Sequence, residues 1–509
     1  VVPISEIKPN PYIQKRHIHL PQATVEDVVA DLTRIRRELG TDVPNLTASL
    51  GTLQRLPANL SASSESVTAV LAGERLVSIE PGDTSGRSFG IAIDLGTTSV
   101  VVMLVELGTG RVLGTESLLN GQATYGSDVI SRITYATTEP DGLVTLQRAV
   151  VATINSAVSA LSDKVGVNPN QIYEAVIVGN SCMNHLLLGV DPRSLAQAPY
   201  QPVLSDPVSI RPVEIGIAIH PEGAVYTLPN IAGFVGSDTV AVILATRMHR
   251  SDGIRLAIDL GTNGEIVLGN RDRLLACSTA AGPAFEGARI SCGMRATEGA
   301  IERVWIEGDD VKLKVIGDKP AIGLCGSGLL DAVAQMRHVG LISESGRLEA
   351  LNRQDSDQHR VLSDRIVPVG DTQGFLLARN GQRQVTLTQR DVRELQLAKG
   401  AIRAGTSILL KEFGIEENDI EEILLAGAFG SFINPASARS IGLIPQIPIQ
   451  KITAIGNAAA QGSLMALLST DMRNEASDIS QRVHYIELSA RPDFMEQFMD
   501  DLQLAGSDR

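Results

Sequence analysis

Two copies of one strand–turn–strand phrase, set far apart, constrain this chain more than any other feature. Residues 91–102 read IAIDLGTTSVVV and residues 256–267 read LAIDLGTNGEIV. In each copy a β-favouring apolar run ends at an aspartate, Asp94 or Asp259. It then passes through Gly-Thr and returns as a second apolar run, which is the pattern of a hairpin. The turns have what a phosphate needs. Gly96 and Gly261 let the backbone come close, and Thr97, Thr98, Thr262 and Asn263 add side-chain donors to the exposed N–H groups. Gly264 closes the second turn, and each aspartate can hold a cation through water. The spacing of 165 residues (259 − 94) is too long for a solenoid repeat and suits a duplicated domain. The expectation is an α/β chain with two lobes, each aiming a phosphate hairpin at a central nucleotide cleft.

Further stretches narrow this. Residues 423–430, ILLAGAFG, form a strand ending in a Gly-rich turn. Residues 125–132 (YGSDVISR), 229–238 (PNIAGFVGSD), 280–289 (AAGPAFEGAR), 323–328 (GLCGSG) and 427–432 (GAFGSF) are equally distinctive. The paired hairpins resemble those of the actin, sugar-kinase and heat-shock ATPase superfamily, whose lobes are ribonuclease H-like. Residues 423–430 resemble its adenosine motif. Together the stretches resemble the ATP-dependent reductive activators of corrinoid proteins, over nearly the whole chain. The resemblance implies ATP and Mg²⁺ as ligands and a corrinoid protein, possibly a corrinoid iron–sulfur protein, as partner. It also implies a homodimer. Gly427, Ala428, Phe429 and Gly430 would then lie against the nucleoside, with Asn457 at the start of the helix beyond. Gly326 and Ser327 would make the nucleotide-contacting turn before a helix, and Gly282 would offer backbone N–H groups in a second Gly-rich loop.

Composition sets outer limits. The 509 residues are 43% hydrophobic, enough for several cores. A net charge of −14 argues against nucleic acid and anionic membrane as partners, and 3% aromatic residues argue against stacking platforms for single strands. No apolar run reaches the roughly 18 residues of a membrane span, and no signal peptide is visible, so the expectation is a cytoplasmic protein. Cys182, Cys277, Cys292 and Cys325 form no C-x-x-C pair and read as reduced, packed thiols. The activators carry an N-terminal ferredoxin-like domain with a 2Fe-2S cluster, for which this sequence holds no cysteine set. Because the chain opens at Val1, the expectation is that such a domain belongs upstream. Nor do Cys277, Cys292 and Cys325 match the cluster ligands of the related activators of radical dehydratases.

Four regions follow in order. Residues 1–20, with Pro3, Pro9 and Pro11, read as an extended linker, and His17 and His19 as surface residues rather than metal ligands. Residues 21–87 read as a small α/β domain; it resembles the middle domain of the activators, and the resemblance implies dimer contacts. It has a helix over 24–39 opened by a Thr24/Asp27 capping box and ended by Gly40, a helix over 45–56 with Leu46, Leu50 and Leu53 on one face, and strands over 66–71 and 75–79. Residues 88–250 form the first lobe. It has a strand over 112–118, helices from Ser127 and over 143–164, a strand over 173–178, a Pro-rich wrapping insertion over 191–229, and a helix from Thr239 capped by Ser237 or Asp238. Residues 251–509 form the second lobe. It has an irregular surface insertion over 343–385 that includes Asp355-Ser356-Asp357, a helix over 389–413, a strand over 483–488 and a helix from Asp493.

The chemistry expected is ATP hydrolysis, which asks a protein mainly for positioning and charge stabilisation. Asp94 and Asp259 are the Mg²⁺ and phosphate residues. Glu265, just past the second turn, is the nearest extra carboxylate for positioning water. Asn180 either orients a water or caps the helix that follows it. No G-x-x-x-x-G-K-[ST] occurs, which excludes the P-loop class. Two alternatives stay open. A small-molecule kinase of the same superfamily would want an aspartate at the end of strand 173–178, where Asn180 stands. A nucleotide-binding scaffold would not need intact aspartates in both hairpins.

Overall fold

Each copy of the repeated phrase lies at the centre of its own six-stranded sheet. In the computed structural model, which describes residues 1–26, 28–63, 65–351, 357–427 and 430–505, the chain divides into two units. One is Val1–Thr246 with Ala459–Gln481; the other is Arg247–Ala458 with the segment from Arg482. The first sheet contains β1 (Phe89–Leu95), β2 (Ser99–Glu106), β3 (Arg111–Leu119), β4 (Ile172–Gly179) and β5 (Ala224–Thr227), in the order β3-β2-β1-β4-β5, with a short edge strand Val208–Ile210. The second contains β6 (Arg255–Leu260), β7 (Gly264–Gly269), β8 (Leu274–Thr279), β9 (Glu422–Ala426) and β10 (Ile452–Gly456), in the order β8-β7-β6-β9-β10, with Val483–Tyr485 beside β8. In both, the first three strands are antiparallel and the last two run parallel to the first. The duplicated lobe expected from the repeat is therefore present. The parallel strand β4 is buried along all eight residues, which is why it reads as a continuous apolar run.

The helix expected over 143–164 is Gly142–Val165, and the one expected over 389–413 is Gln389–Phe413, capped by Thr388 and Asp391. Gly142–Val165 is long and apolar enough to cross a membrane by length and composition, although Gln147, Arg148 and Asn155 interrupt its apolar residues. It buries Leu146, Val150, Ile154 and Leu161 in the core of the first unit.

The small domain departs most from the sequence reading. Part of the expected linker is a strand, Ile13–His19, paired antiparallel with Ser66–Ala72 and burying Ile13 and Ile18. That strand covers an edge which would otherwise leave backbone groups open. The prolines sit before it, where Val2 N–H donates to Ala245 O and Asn10 N–H to Leu468 O. The first helix begins only at Asp31, paired with Arg34 at 2.9 Å, and ends as expected at Gly40. Val25 and Val28 keep the helical spacing but are 97% and 81% exposed and lie before the helix. Asp27 of the expected capping box lies outside the described residues.

The second helix is Leu50–Ser61, capped by Ser49. It turns Thr52 and Leu56 inward and leaves Leu50 and Leu53 exposed, while Leu46 reaches the core from the preceding loop. Strands Ser66–Ala72 and Arg75–Pro81 are as expected. His17 bonds Ser66 Oγ and His19 pairs with Glu65, both at the surface.

Both expected insertions are partly ordered structure. Residues 191–229 supply the edge strand and β5 of the first sheet. Residues 343–385 include most of an antiparallel meander, Ile366–Val369, Thr372–Asn380 and Arg383–Thr388, which buries Phe375, Leu377, Val385 and Leu387. The alternation in QVTLT carries that strand pattern. Asp355 and Ser356 lie outside the described residues. Helices Ala458–Leu468 and Thr470–Arg482, which fall within the range 251–509 expected to form the second lobe, pack almost entirely in the first unit. There Ser463 Oγ accepts from Ile93 N–H and donates to Val176 O, and Arg473 meets the buried Glu174 at 2.7 Å.

Candidate active site

In the first unit the turn between β1 and β2 closes through Gly96 N–H to Ser99 O at 2.9 Å. A Cβ on Gly96 would stand 2.7 Å from that oxygen, so only glycine fits. The three carbonyls of Gly96, Thr97 and Thr98 are all engaged. Asn120 Nδ2 donates to Gly96 O at 2.9 Å, Arg132 Nη2 to Thr97 O, and Asn120 N–H to Thr98 O at 2.9 Å. Asn120 and Arg132 are fully buried.

Asp94 lies opposite Val101 on β2 and beside Val178 on β4. Its neighbour in charge is Asp238, in the first turn of helix Ser237–Thr246, whose Oδ1 accepts from Thr239 N–H at 2.8 Å. Burial lifts the Asp238 carboxyl from the usual carboxylate range toward neutrality. The Thr239 N–H opposes that shift and the Asp94 charge adds to it. The helix start is fixed to the end of β4, because Ser237 Oγ bonds both N–H and C=O of Gly179 and takes a donor from Asn184 Nδ2. Asn180 uses both ends of its amide locally: Oδ1 accepts from Cys182 N–H and Nδ2 donates to Phe234 O. That is the capping use. The buried carboxylate beside Asp94 is that of Asp238, which the sequence presents only as a cap.

In the second unit Gly261 N–H closes the turn onto Asn263 O at 3.0 Å, one residue shorter than the first. The repeat therefore slips past the turn. Asp259 faces Glu265 directly across the hairpin, where Asp94 faces Val101. Two like charges so placed repel each other unless a cation or proton intervenes. Ser278 Oγ donates to Glu265 at 3.4 Å, and Thr262 Oγ1 donates to Glu286 Oε1 at 2.9 Å, tying the turn to loop 280–287. Gly282 in that loop has φ +78°. Gly264 is buried in β7, where a Cβ would meet Thr279 and Ile402, so close packing explains it.

A glycine at the end of β4, and one just after β9, approach the corresponding peptide of each hairpin. A Cβ on Gly179 would stand 2.7 Å from Leu95 O, and one on Gly427 2.8 Å from Leu260 O and 2.7 Å from Asp259 Oδ1. Gly427 also has φ +92° and donates its N–H to Gly456 O, next to Asn457. Gly427→Ala is therefore expected to cost about 1–3 kcal/mol of stability, read by denaturant unfolding, and to displace the Asp259 carboxylate. Ala428 and Phe429 lie outside the described residues. Gly430 is buried, and a Cβ there would stand 2.9 Å from Leu425 O.

Helix Gly326–His338 starts with Ser327 buried. One and two turns further on, its Asp331 and Gln335 line a cavity of about 450 Å³ with Arg303, Trp305, Lys314 and Asn434. Asp331 accepts from Ser437 Oγ at 2.6 Å, and burial raises its carboxyl above the ordinary range. The cavity's lining residues include none of 323–328 or 427–432, the two segments that the sequence reading assigns to the nucleotide. Arg303, Trp305 and Lys314 come from a hairpin with no nucleotide signature. Cys182, Cys277 and Cys325 are buried and Cys292 is partly so. Burial pushes the Cys182 thiol up to about 12. Among the described residues no three metal-ligating side chains cluster.

Comparison with known proteins bears on this arrangement. Family profiles match along the chain: the RACo linker region over residues 5–86, the RACo middle region over 89–251, and the C-terminal domain of RACo, the ASKHA domain, over 253–509. The chain is 38% identical over 440 residues to the corrinoid activation enzyme RamQ of Eubacterium limosum, covering 86% of this chain and 74% of that one. It is 25% identical over 428 residues to the [Co(II) methylated amine-specific corrinoid protein] reductase of Methanosarcina barkeri, covering 78% and 73%. A solved reductive activator for a corrinoid, iron–sulfur protein superposes with a TM-score of 0.89 at 38% identity, over 98% of this chain and 80% of that one.

Proposed function

The chain belongs to the RACo and RamQ family of corrinoid reductive activators within the ASKHA ATPase superfamily, and we propose that it couples ATP hydrolysis to reduction of Co(II) to Co(I) in a corrinoid protein. The observation that carries the ATP half is the Asp94–Asp238 pair behind a glycine turn whose carbonyls are all engaged. Asp238, held near neutrality, takes the proton of the attacking water, and the N–H groups of the turn meet phosphate oxygens. In the second unit Asp259 and Glu265 present facing carboxylates.

The carboxylates of Asp94 and Asp259 are oxygen donors of the kind a hard cation takes, and the repulsion built into Asp259–Glu265 fits a cation there. Mg²⁺, when bound, neutralises charge on the phosphates. The reduction is a separate balance. Co(II) gains one electron, and hydrolysis supplies free energy but no electron, so a reduced donor must provide it. Cys182, Cys277, Cys292 and Cys325 do not fit a cluster, since among the described residues no three metal-ligating side chains come together. The coupling requires that ATP favour one state of the activator–corrinoid pair over another.

The test is ATP turnover with and without a Co(II) corrinoid protein and a low-potential reductant, with Co(I) followed by its absorption. The expected result is turnover stimulated by the Co(II) protein and Co(I) formed only with ATP. A second reading, a small-molecule kinase, gains from Asp238, a buried carboxylate beside Asp94. ATP consumption indifferent to corrinoid protein but stimulated by a small hydroxyl acceptor would select it.

A further inference from the structure

The first phosphate turn is held from behind by a buried polar frame. In a trans peptide the C=O and the following N–H point in opposite directions. Bonds to the carbonyls of Gly96 and Thr97 therefore carry the N–H groups of Thr97 and Thr98 to the other side of the turn. Successive N–H groups on one side make an anion nest. The donors that impose this are Asn120 Nδ2 on Gly96 and Arg132 Nη2 on Thr97, while Asn120 N–H holds Thr98.

Gln122 makes the two side chains one unit. Its N–H donates to Asn120 Oδ1 at 3.0 Å, its Oε1 accepts from Arg132 Nη1 at 3.1 Å, and its Nε2 donates to Leu146 O in the core helix. Arg132 is further fixed by Gly126 O at 2.9 Å and Met183 Sδ at 3.2 Å. A full charge is thus placed one peptide behind the turn, on a frame anchored to helix Gly142–Val165. The second turn has a different support, the Thr262–Glu286 bond.

We propose that Asn120 and Arg132 are the positioning residues of the phosphate turn, and that they set the affinity for the phosphates of the nucleotide without touching them. This rests on the ATP reading above. A merely structural role would weaken all ligands alike or only lower the melting point. A positioning role acts in proportion to phosphate.

The experiment is calorimetric titration of wild type, Arg132→Lys and Asn120→Ser with ATP, ADP and adenosine, alongside thermal melts and steady-state ATP turnover. The expected result is ATP and ADP affinity down about tenfold or more in both variants, adenosine affinity within twofold of wild type, and a KM rise for ATP larger than the fall in kcat. Lysine keeps the charge and one bond but cannot span Thr97, Gly126 and Gln122 at once, so the loss is expected although the charge is kept. Equal losses for ATP and adenosine would overturn the proposal. So would a folded Asn120→Ser protein with wild-type ATP affinity. Wild-type protein that binds adenosine but gains nothing from added phosphates would overturn the ATP reading itself, and this proposal with it.

Discussion

Asp238→Asn is expected to lower ATP turnover by on the order of 10²–10⁴-fold while leaving ATP affinity within a few-fold. The carboxyl sits at a helix start locked to the end of β4, and burial and Asp94 raise its pKa. A base of that kind works when ionised, so wild-type turnover should fall as pH drops from neutrality toward the ordinary carboxylate range. The apparent pKa of that limb belongs to the Asp94–Asp238 pair. The variant should lack the limb. The same shift has a cost in stability. The folded state holds this proton more tightly than the unfolded chain, so its contribution is full below the ordinary aspartate pKa and is lost as pH rises through the raised value. Asp238→Asn, which mimics the protonated form, should therefore melt higher than wild type at pH 8. Turnover unchanged in the variant, with the acid limb retained, would remove Asp238 from the reaction.

Asp259→Ala is expected to abolish most Mg²⁺-dependent hydrolysis, by on the order of 10²–10³-fold. It should also remove the stabilisation that MgATP gives the wild-type fold, since a ligand stabilises only as far as it binds the native state. The geometry makes a further point. Asp259 and Glu265 are cross-strand partners, and facing like charges destabilise a hairpin. Without Mg²⁺ or nucleotide the alanine variant should melt no lower than wild type, although it has lost a side chain beside Gly427. A thermal shift series with MgATP, ATP plus chelator, and no ligand reads all of this. A wild-type MgATP shift in Asp259→Ala would show that the cation is held elsewhere.

The sequence alone determined the duplicated architecture. The repeated Asp-Leu-Gly-Thr turns, the strands on either side of them, the apolar run of β4 and the helices Gly142–Val165 and Gln389–Phe413 are local patterns of period two or 3.6, and they read true because burial enforces them residue by residue. The glycines at the end of β4 and just after β9 were legible as turn residues, although their reason, a carbonyl within 3 Å of any Cβ, was not.

What those patterns meet is fixed by packing between distant segments. Residues 13–19 became a strand because the edge of Ser66–Ala72 was there to pair with, and Val25 and Val28 stay exposed ahead of the helix. Helices late in the chain joined the first unit through Ser463 and Arg473. The one-residue difference between the turns put Glu265 opposite Asp259, a register that motif matching across the repeat misaligns. Asp238 looks in sequence like any helix-capping aspartate, and Arg132 like any helical arginine. Their roles come from partners more than 30 residues away along the chain, Asp94 and Thr97. A local pattern records which face a residue turns inward, but it carries no record of which distant charge or carbonyl waits there.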